Sequence, residues 1–427
     1  MCMKCIACIF LVFSALSLSA QTKKVFIEKF PEADGFRLTV NNIEYFVKGA
    51  VGEDYLQKLK DYGGNSIRVG HNLQTLNKAN QLGLTALVGL PVIAERDGMN
   101  YDDPVAVQKQ HTQVIDIVKK LKNHPAVLMW ALGNELDFIQ ANVKERYNLK
   151  MWDAVNALAK EIHKIDPNHP VMTVVGSIDR DKIEQLNSKC PDLDLLGINE
   201  YGDLVKIPQW LRKFGWKKPY VITEWGPTGF WQVPATPWKA PIEETSTMKA
   251  AKYKERYENA ILADKDMCLG SYVFLWRQHQ ERTHTWFGMF DEKGLETEAV
   301  EVMHFGWSGK YPSNRSPRID TFIIDNKTAY QRVYLNPEEH YKAKVSAKDP
   351  EGDQLTFKWE VLEEGTSFPY GGNGERKPPA IPGLITEVNL REILFKVPTK
   401  IGAYRLFVYV YDGKGHFSTS NIPFYVQ

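Results

Sequence analysis

Ala126-Val127-Leu128-Met129-Trp130-Ala131-Leu132-Gly133-Asn134-Glu135 is an apolar run that stops at a glycine, an amide and a carboxylate. Pro219-Tyr220-Val221-Ile222-Thr223-Glu224-Trp225-Gly226 follows the same pattern. Apolar runs without alternation are what a parallel sheet covered on both faces requires. A carboxylate at the C-terminal end of such a strand lies where (β/α)8 barrels collect their catalytic groups. Segments 45–51, 66–69, 85–90, 171–175, 193–198 and 271–275 also read as strands. Between the strands, apolar residues at three- and four-residue steps mark helices over 54–62, 105–121, 147–165 and 246–263. Strands and helices in this alternation predict a closed (β/α)8 TIM barrel. An open doubly wound sheet is the competing arrangement, and the Gly-rich fingerprint that would support it does not follow the first strand.

Outside the barrel the pattern changes. Residues 24–45 alternate, with Val25, Ile27, Phe36, Leu38 and Val40 apolar and Asn41-Asn42 as a turn, and read as a hairpin. Beyond Arg315, short alternating strands are expected at 318–324, 333–335, 341–347, 354–361, 392–397, 402–412 and 423–427. These predict a C-terminal all-β immunoglobulin-like sandwich, interrupted by a Gly/Pro-rich excursion over 367–382. The expected division is an export signal over 1–20, a catalytic barrel with its hairpin over 21–314, and the sandwich over 315–427.

The chain has 427 residues, 43% of them hydrophobic, and a formal net charge of +1. That balance argues against a nucleic-acid or anionic-membrane partner. Lys4, the apolar run over 6–18 and the small-residue end at Ser19-Ala20 form a signal peptide, with secretion or a periplasmic or cell-surface location implied. This apolar run is too short for a membrane span, and none is expected elsewhere. Cys2, Cys5 and Cys8 fall in that segment; Cys190 and Cys268 read as buried free thiols. A monomer is expected.

Two carboxylates at strand ends can be structural ions, metal ligands or a glycosidase pair. No His stands at ligand spacing around Glu135 or Glu224, and Asp137 alone makes no ligand set, so no metal site is expected there. Asp349, Glu351 and Asp353 could form a calcium cluster, but Asp-Pro-Glu-Gly-Asp reads better as a turn. Glycoside cleavage needs one carboxyl protonated and the other ionised. Glu135 has few cationic neighbours in sequence, whereas Arg68 ends a strand and could hold Glu224 ionised. Aromatic residues crowd the loops after the last two strands, among them Trp231, Trp238, Trp286 and Phe287, and suit the apolar faces of pyranose rings.

Trp130-Ala131-Leu132-Gly133-Asn134-Glu135 resembles the acid/base motif of TIM-barrel glycosidases with catalytic glutamates on strands four and seven, and Ile222-Thr223-Glu224-Trp225-Gly226 resembles the matching nucleophile motif. Asn65-Ser66-Ile67-Arg68 with His71, and Gly197-Ile198-Asn199-Glu200-Tyr201, are similar to motifs of the glycoside hydrolase family 2 catalytic domain. A barrel with an immunoglobulin-like domain behind it also resembles bacterial endo-β-1,3-glucanases. The resemblance implies a retaining β-glycosidase, acting on an oligo- or polysaccharide with β-glucan favoured, that needs no cofactor. Glu135 would be general acid/base and Glu224 the nucleophile. Arg68, His71, Asn134, Tyr201, Trp231, Trp276 and Trp286 would bind substrate, with Trp276 flooring the sugar subsite. A transglycosylase on the same site and a non-catalytic glycan-binding protein are the alternatives.

Overall fold

A computed structural model of the chain describes residues 23–30, 35–138, 147–365, 375–386 and 389–427. The export signal expected over 1–20 lies outside these residues. An antiparallel sheet comes first, made of β1 (Val25–Lys29), β2 (Phe36–Val40) and β3 (Ile43–Glu44). Eight parallel strands then close into a barrel: β4 (Val47–Val51), β5 (Ser66–Gly70), β6 (Thr85–Leu90), β7 (Val127–Leu132), β8 (Val171–Gly176), β9 (Leu195–Asn199), β10 (Tyr220–Trp225) and β11 (Cys268–Val273). Seven helices connect successive barrel strands: α1 (Leu56–Asp61), α2 (Leu73–Gln81), α3 (Pro104–Leu121), α4 (Lys150–Ile165), α5 (Arg180–Lys189), α6 (Ile207–Phe214) and α7 (Ser246–Arg256). An eighth, α8 (Glu298–Ser308), follows β11.

Burial explains the barrel. Every residue of β7 and β11 is buried. Leu87, Met129, Met172, Val174, Leu195 and Tyr272 form an apolar cluster that also takes in Val25 and Leu38 of the hairpin. The hairpin therefore closes the N-terminal end of the barrel, with backbone bonds from Val25 to Asn168 (2.8 Å) and from Phe36 to Asp266 (2.7 Å). A larger apolar layer fills the space between strands and helices. Helix starts are set by side chains that accept from the first free N–H groups, as at Asn72, Asp103, Asp179 and Thr245. Cys190 and Cys268 are free and buried. No helix among the described residues is long and apolar enough to cross a membrane.

The remaining strands form two sheets around one core. β12 (Arg318–Ile324), β14 (His340–Lys348) and β16 (Glu392–Lys396) make one sheet. The other has the order β13 (Val333–Leu335), β18 (Phe417–Val426), β17 (Gly402–Tyr411) and β15 (Thr356–Glu363). Pairing is antiparallel except between β13 and β18. β18 is longer than the 423–427 expected. Its first half, Ser418-Thr419-Ser420-Asn421, is polar yet buried, because it lies against the barrel. There Ser418 Oγ donates to the carbonyl of Pro317, the Thr419 amide donates to Ser246 Oγ (2.9 Å), and Asn421 Nδ2 donates to Glu243 Oε2 (2.7 Å).

Candidate active site

Glu224 is in β10, and its backbone stands in register with Asn199 at the end of β9. Glu135 lies three residues past the end of β7, in a turn where Gly133 has φ +72° and Glu135 itself φ +46°. Left-handed backbone is uncommon for a residue with a side chain and is worth explaining. Here the turn is held at several points. The Glu135 amide donates to the Val174 carbonyl in β8 (2.9 Å). Arg96 donates to the carbonyl of Glu135 and to that of Asn134 (3.2 Å), and its guanidinium lies 5.5 Å from the Phe138 ring. The side chain is thereby re-aimed over the end of β8, where Gly176 leaves room. A Cβ there would come within 3.1 Å of the Glu135 carboxyl carbon.

One polar network spans the two carboxylates. Arg68 donates to Glu224 Oε1 (2.7 Å) and to Asn134 Oδ1 (2.7 Å). Tyr201 donates its hydroxyl to Glu224 Oε2 (3.2 Å). Asn199 Nδ2 donates to Glu135 Oε1 (2.9 Å) and to Asn134 Oδ1 (3.0 Å). Thr223 Oγ1 donates to Asn199 Oδ1 (2.8 Å), which fixes the Asn199 amide with its N–H groups toward Glu135. The Asn134 oxygen is thus taken by two donors on an otherwise exposed side chain. Its amide N–H groups donate to no partner among the described residues.

The environments of the two acids differ. Burial, and then the negative charge of Glu224, push the Glu135 carboxyl up to about 7. Glu224 has a guanidinium on one oxygen and a phenol on the other, and the Arg68–Glu224 pair is only 12% and 15% exposed. Burial and the nearby Glu224 charge raise the Tyr201 phenol well above its ordinary value, so it stays a donor.

The expected aromatic platform is only partly present. Trp231 is 55% exposed and meets the Tyr201 ring edge-on at 5.4 Å. Trp276 is a correction: it is 1% exposed, packed on Phe290 and Trp307 in the layer between strands and helices, and cannot floor a sugar subsite. The aromatic residue that follows β11 at the mouth is Phe274, half-buried beside Tyr201 at 6.1 Å. Trp286 is a second correction. It is 2% exposed and donates Nε1 to the Thr228 carbonyl (3.0 Å), so it props Phe230 rather than meeting ligand. Trp238 packs between Tyr334 and Tyr425 of the β-sheet unit, away from the carboxylates. His71 is exposed on the loop after β5 and makes no hydrogen bond among the described residues.

Asn199, Thr223 and Arg96 were not foreseen. Asn199 belongs to the Gly197–Tyr201 motif at a strand end, and that placement is the signal in the sequence that marks it. Arg96 works on backbone carbonyls and leaves no side-chain pattern to read. Asp349 Oδ1 accepts from the amides of Glu351 (3.0 Å) and Asp353 (2.9 Å), as in a turn, and Asp353 pairs with Lys414 (2.6 Å); carboxylate oxygens of Asp349, Glu351 and Asp353 also lie within 4.8 Å of one another.

Residues 53–232 match the family model described as glycosyl hydrolases family 2, TIM barrel domain. The barrel resembles the family 2 catalytic domain. A β-glucuronidase of Paenibacillus borealis is 23% identical over 336 residues, covering 66% of this chain and 52% of its own. A β-galactosidase of Bacteroides ovatus is 21% identical over 379 residues, covering 74% of this chain and 43% of its own. Among solved structures, β-glucuronidase 2 of Bacteroides uniformis, covalently bound to a cyclophellitol-6-carboxylate aziridine, superposes with a TM-score of 0.54 at 14% identity. It covers 94% of this chain and 48% of its own. The chain thus spans about half or less of the length of these relatives. These homologues are glycoside hydrolases by name, and at such identities the structural likeness speaks for the family 2-like fold.

Proposed function

We propose that this protein is a retaining β-glycosidase in which Glu135 is the general acid/base and Glu224 the nucleophile. The observation that carries the reading is the contrast between the two carboxyls. Glu135 keeps its proton to near neutrality, while Arg68 and Tyr201 occupy both oxygens of Glu224 with donors. In the first half-reaction Glu224 attacks the anomeric carbon as the glycosidic bond breaks, and the departing oxygen takes the Glu135 proton. In the second, Glu135 accepts a proton from water, and the water oxygen displaces Glu224 with net retention. The amide N–H groups of Asn134 are available to a sugar 2-hydroxyl, where a hydrogen bond strengthens as charge develops at the ring. Carboxyl groups about 5–5.5 Å apart accompany this mechanism.

Arg68 and Arg96 are both committed, one to Glu224 and Asn134, the other to backbone carbonyls. Neither of these two guanidiniums is therefore left for a substrate carboxylate, and β-glucan is kept as the proposed substrate. The names of the relatives make β-glucuronides and β-galactosides the necessary competitors in any test. Chemistry belongs to residues 21–314 in this proposal, and 315–427 serves as an immunoglobulin-like brace. The export signal over 1–20 makes secretion part of the same proposal.

The test is hydrolysis of aryl β-glucosides, β-galactosides and β-glucuronides alongside β-1,3-, β-1,4- and β-1,6-glucans, with the first anomer released followed by NMR. The expected product is the β-anomer. Glu224→Ala should abolish turnover, and azide should restore it as the α-glycosyl azide. An α-anomer as first product, or full activity in Glu224→Ala, overturns the assignment. Trp231 offers an exposed aromatic face that could seat a sugar acceptor, which favours transglycosylation as a second reading. Oligosaccharides longer than the substrate, appearing at high substrate concentration, would identify it. Affinity across the panel without any product would point instead to a glycan-binding protein.

A further inference from the structure

Glu243 lies on the loop between β10 and α7, is buried, and carries a full set of partners. Lys249 of α7 pairs with Oε1. On the loop after β11, Thr285 donates to Oε1 (2.9 Å) and Thr283 to Oε2 (2.7 Å). Asn421 of β18, in the β-sheet unit, donates to Oε2 (2.7 Å). Burial pushes this carboxyl up, and Lys249 with the hydroxyl donors outweighs it, so Glu243 is held below its ordinary value as a carboxylate. A buried ion pair is weak evidence for stability, since apolar replacements often hold a fold as well. Its more informative property here is position, because it joins two active-site loops and the neighbouring unit at one point.

The path from Glu243 to the reacting carboxylate is short. Thr285 leads directly to Trp286, which is tied across to the loop after β10 through the Thr228 carbonyl, and to Phe287. The Phe287 ring lies 5.4 Å from that of Tyr201. Tyr201 bonds Glu224. A second grip acts on the same two loops. Arg405 of β17 donates to the Pro241 carbonyl (2.7 Å) and to Glu364 (2.7 Å), and Arg282 also donates to Glu364 (3.0 Å).

We infer that the β-sheet unit is a positioning part of the active site, acting through Asn421 and Glu243 on the loops that set Tyr201 against Glu224. The inference rests on the glycosidase reading for its kinetic arm and stands apart from it in its structural arm. Asn421 touches no reacting atom, and the path from it ends at Tyr201 and Glu224, so its loss should act first on the nucleophile side. Both leaving-group classes then suffer equally, unlike a defect in proton donation, which an activated phenol escapes.

The experiment uses the full chain carrying Asn421→Ala and, separately, the charge-neutral double variant Glu243→Gln/Lys249→Met, in case removal of the amide prevents folding. Hydrogen exchange over residues 281–288 is measured with kcat and KM for a dinitrophenyl and an alkyl β-glycoside of the sugar that wild type accepts. Misplacement near the reacting atoms lowers rates steeply. The expected result is faster exchange over 281–288, with kcat lower by roughly 10- to 100-fold for both leaving groups and KM little changed. Exchange as slow as in wild type, or a kcat loss confined to the alkyl glycoside, overturns the inference. A wild-type chain inactive on every glycoside defeats the glycosidase reading instead, and the exchange measurement still decides the linkage.

Discussion

Glu135 binds its proton more tightly in the folded chain than in the unfolded one, because burial and the Glu224 charge both oppose ionisation. Folding therefore takes up a proton between the ordinary carboxylate range and about 7, and stability falls as pH climbs through that window. Activity should follow the same group. The alkaline limb of kcat/KM is expected near pH 7, falling about tenfold per pH unit above it. Glu224→Gln removes the second cause of the shift, so carboxyl NMR should find Glu135 titrating at lower pH. An unchanged titration would mean that the two acids do not sense one another. Arg96→Met frees the turn carrying Glu135, and should cost roughly tenfold or more in kcat with poor leaving groups and little with dinitrophenyl glycosides. At this scale the meeting of the two carboxylates and Arg68 in one network was legible, because a charged residue ending an apolar run has few structural uses. Trp276 and Trp286 were misread because sequence gives their neighbourhood and not the direction of their side chains, and a large apolar ring finds burial when a core lies next to it.

The turn after β7 and the end of β8 form a matched pair of elements. Gly133 and Glu135 take left-handed backbone, and Gly176 leaves a gap into which the carboxyl fits. Gly176→Ala places a methyl 3.1 Å from the Glu135 carboxyl carbon and 3.3 Å from Oε1 without requiring unusual backbone there. The expected outcome is a melting temperature close to wild type and a kcat loss of about tenfold with alkyl glycosides. Equal activity in the two proteins would show that the carboxyl has room to spare. Barrel strands were readable from sequence because both of their faces are buried and their apolar runs are continuous. β18 was cut short in the sequence reading for the opposite reason. Ser418-Thr419-Ser420-Asn421 looks like a solvated stretch, and only the partners supplied by Pro317, Ser246 and Glu243 allow it to be buried.

Over the whole molecule, the barrel and the β-sheet unit meet through buried polar contacts rather than a flexible tether. Arg405 is 2% exposed and reaches the Pro241 carbonyl, Trp238 packs on Tyr334 and Tyr425, and Ile319 donates its amide to Thr247 Oγ1 (3.0 Å). Polar groups buried in such a contact lose their partners if one side unfolds alone, and each group left unsatisfied costs about 1–3 kcal/mol. Calorimetry of the intact chain should therefore record one cooperative transition. Two well-separated transitions would show that the contact is too weak to couple the units. A change of pattern near residue 315 is visible in the sequence, whereas the contact between barrel and β-sheet unit is not, because side chains such as Asn421 and Glu243 meet only after each unit has folded.

The polar half of β18 also bears on how this scaffold could be reused. A recombinant barrel grafted onto a different carrier would expose Ser246, Glu243 and Pro241 to water in place of the strand that now satisfies them. Designs that shuffle such cassettes would need to transplant the complementary seam as well, so the unit of exchange for this chain is larger than the barrel that holds its carboxylates.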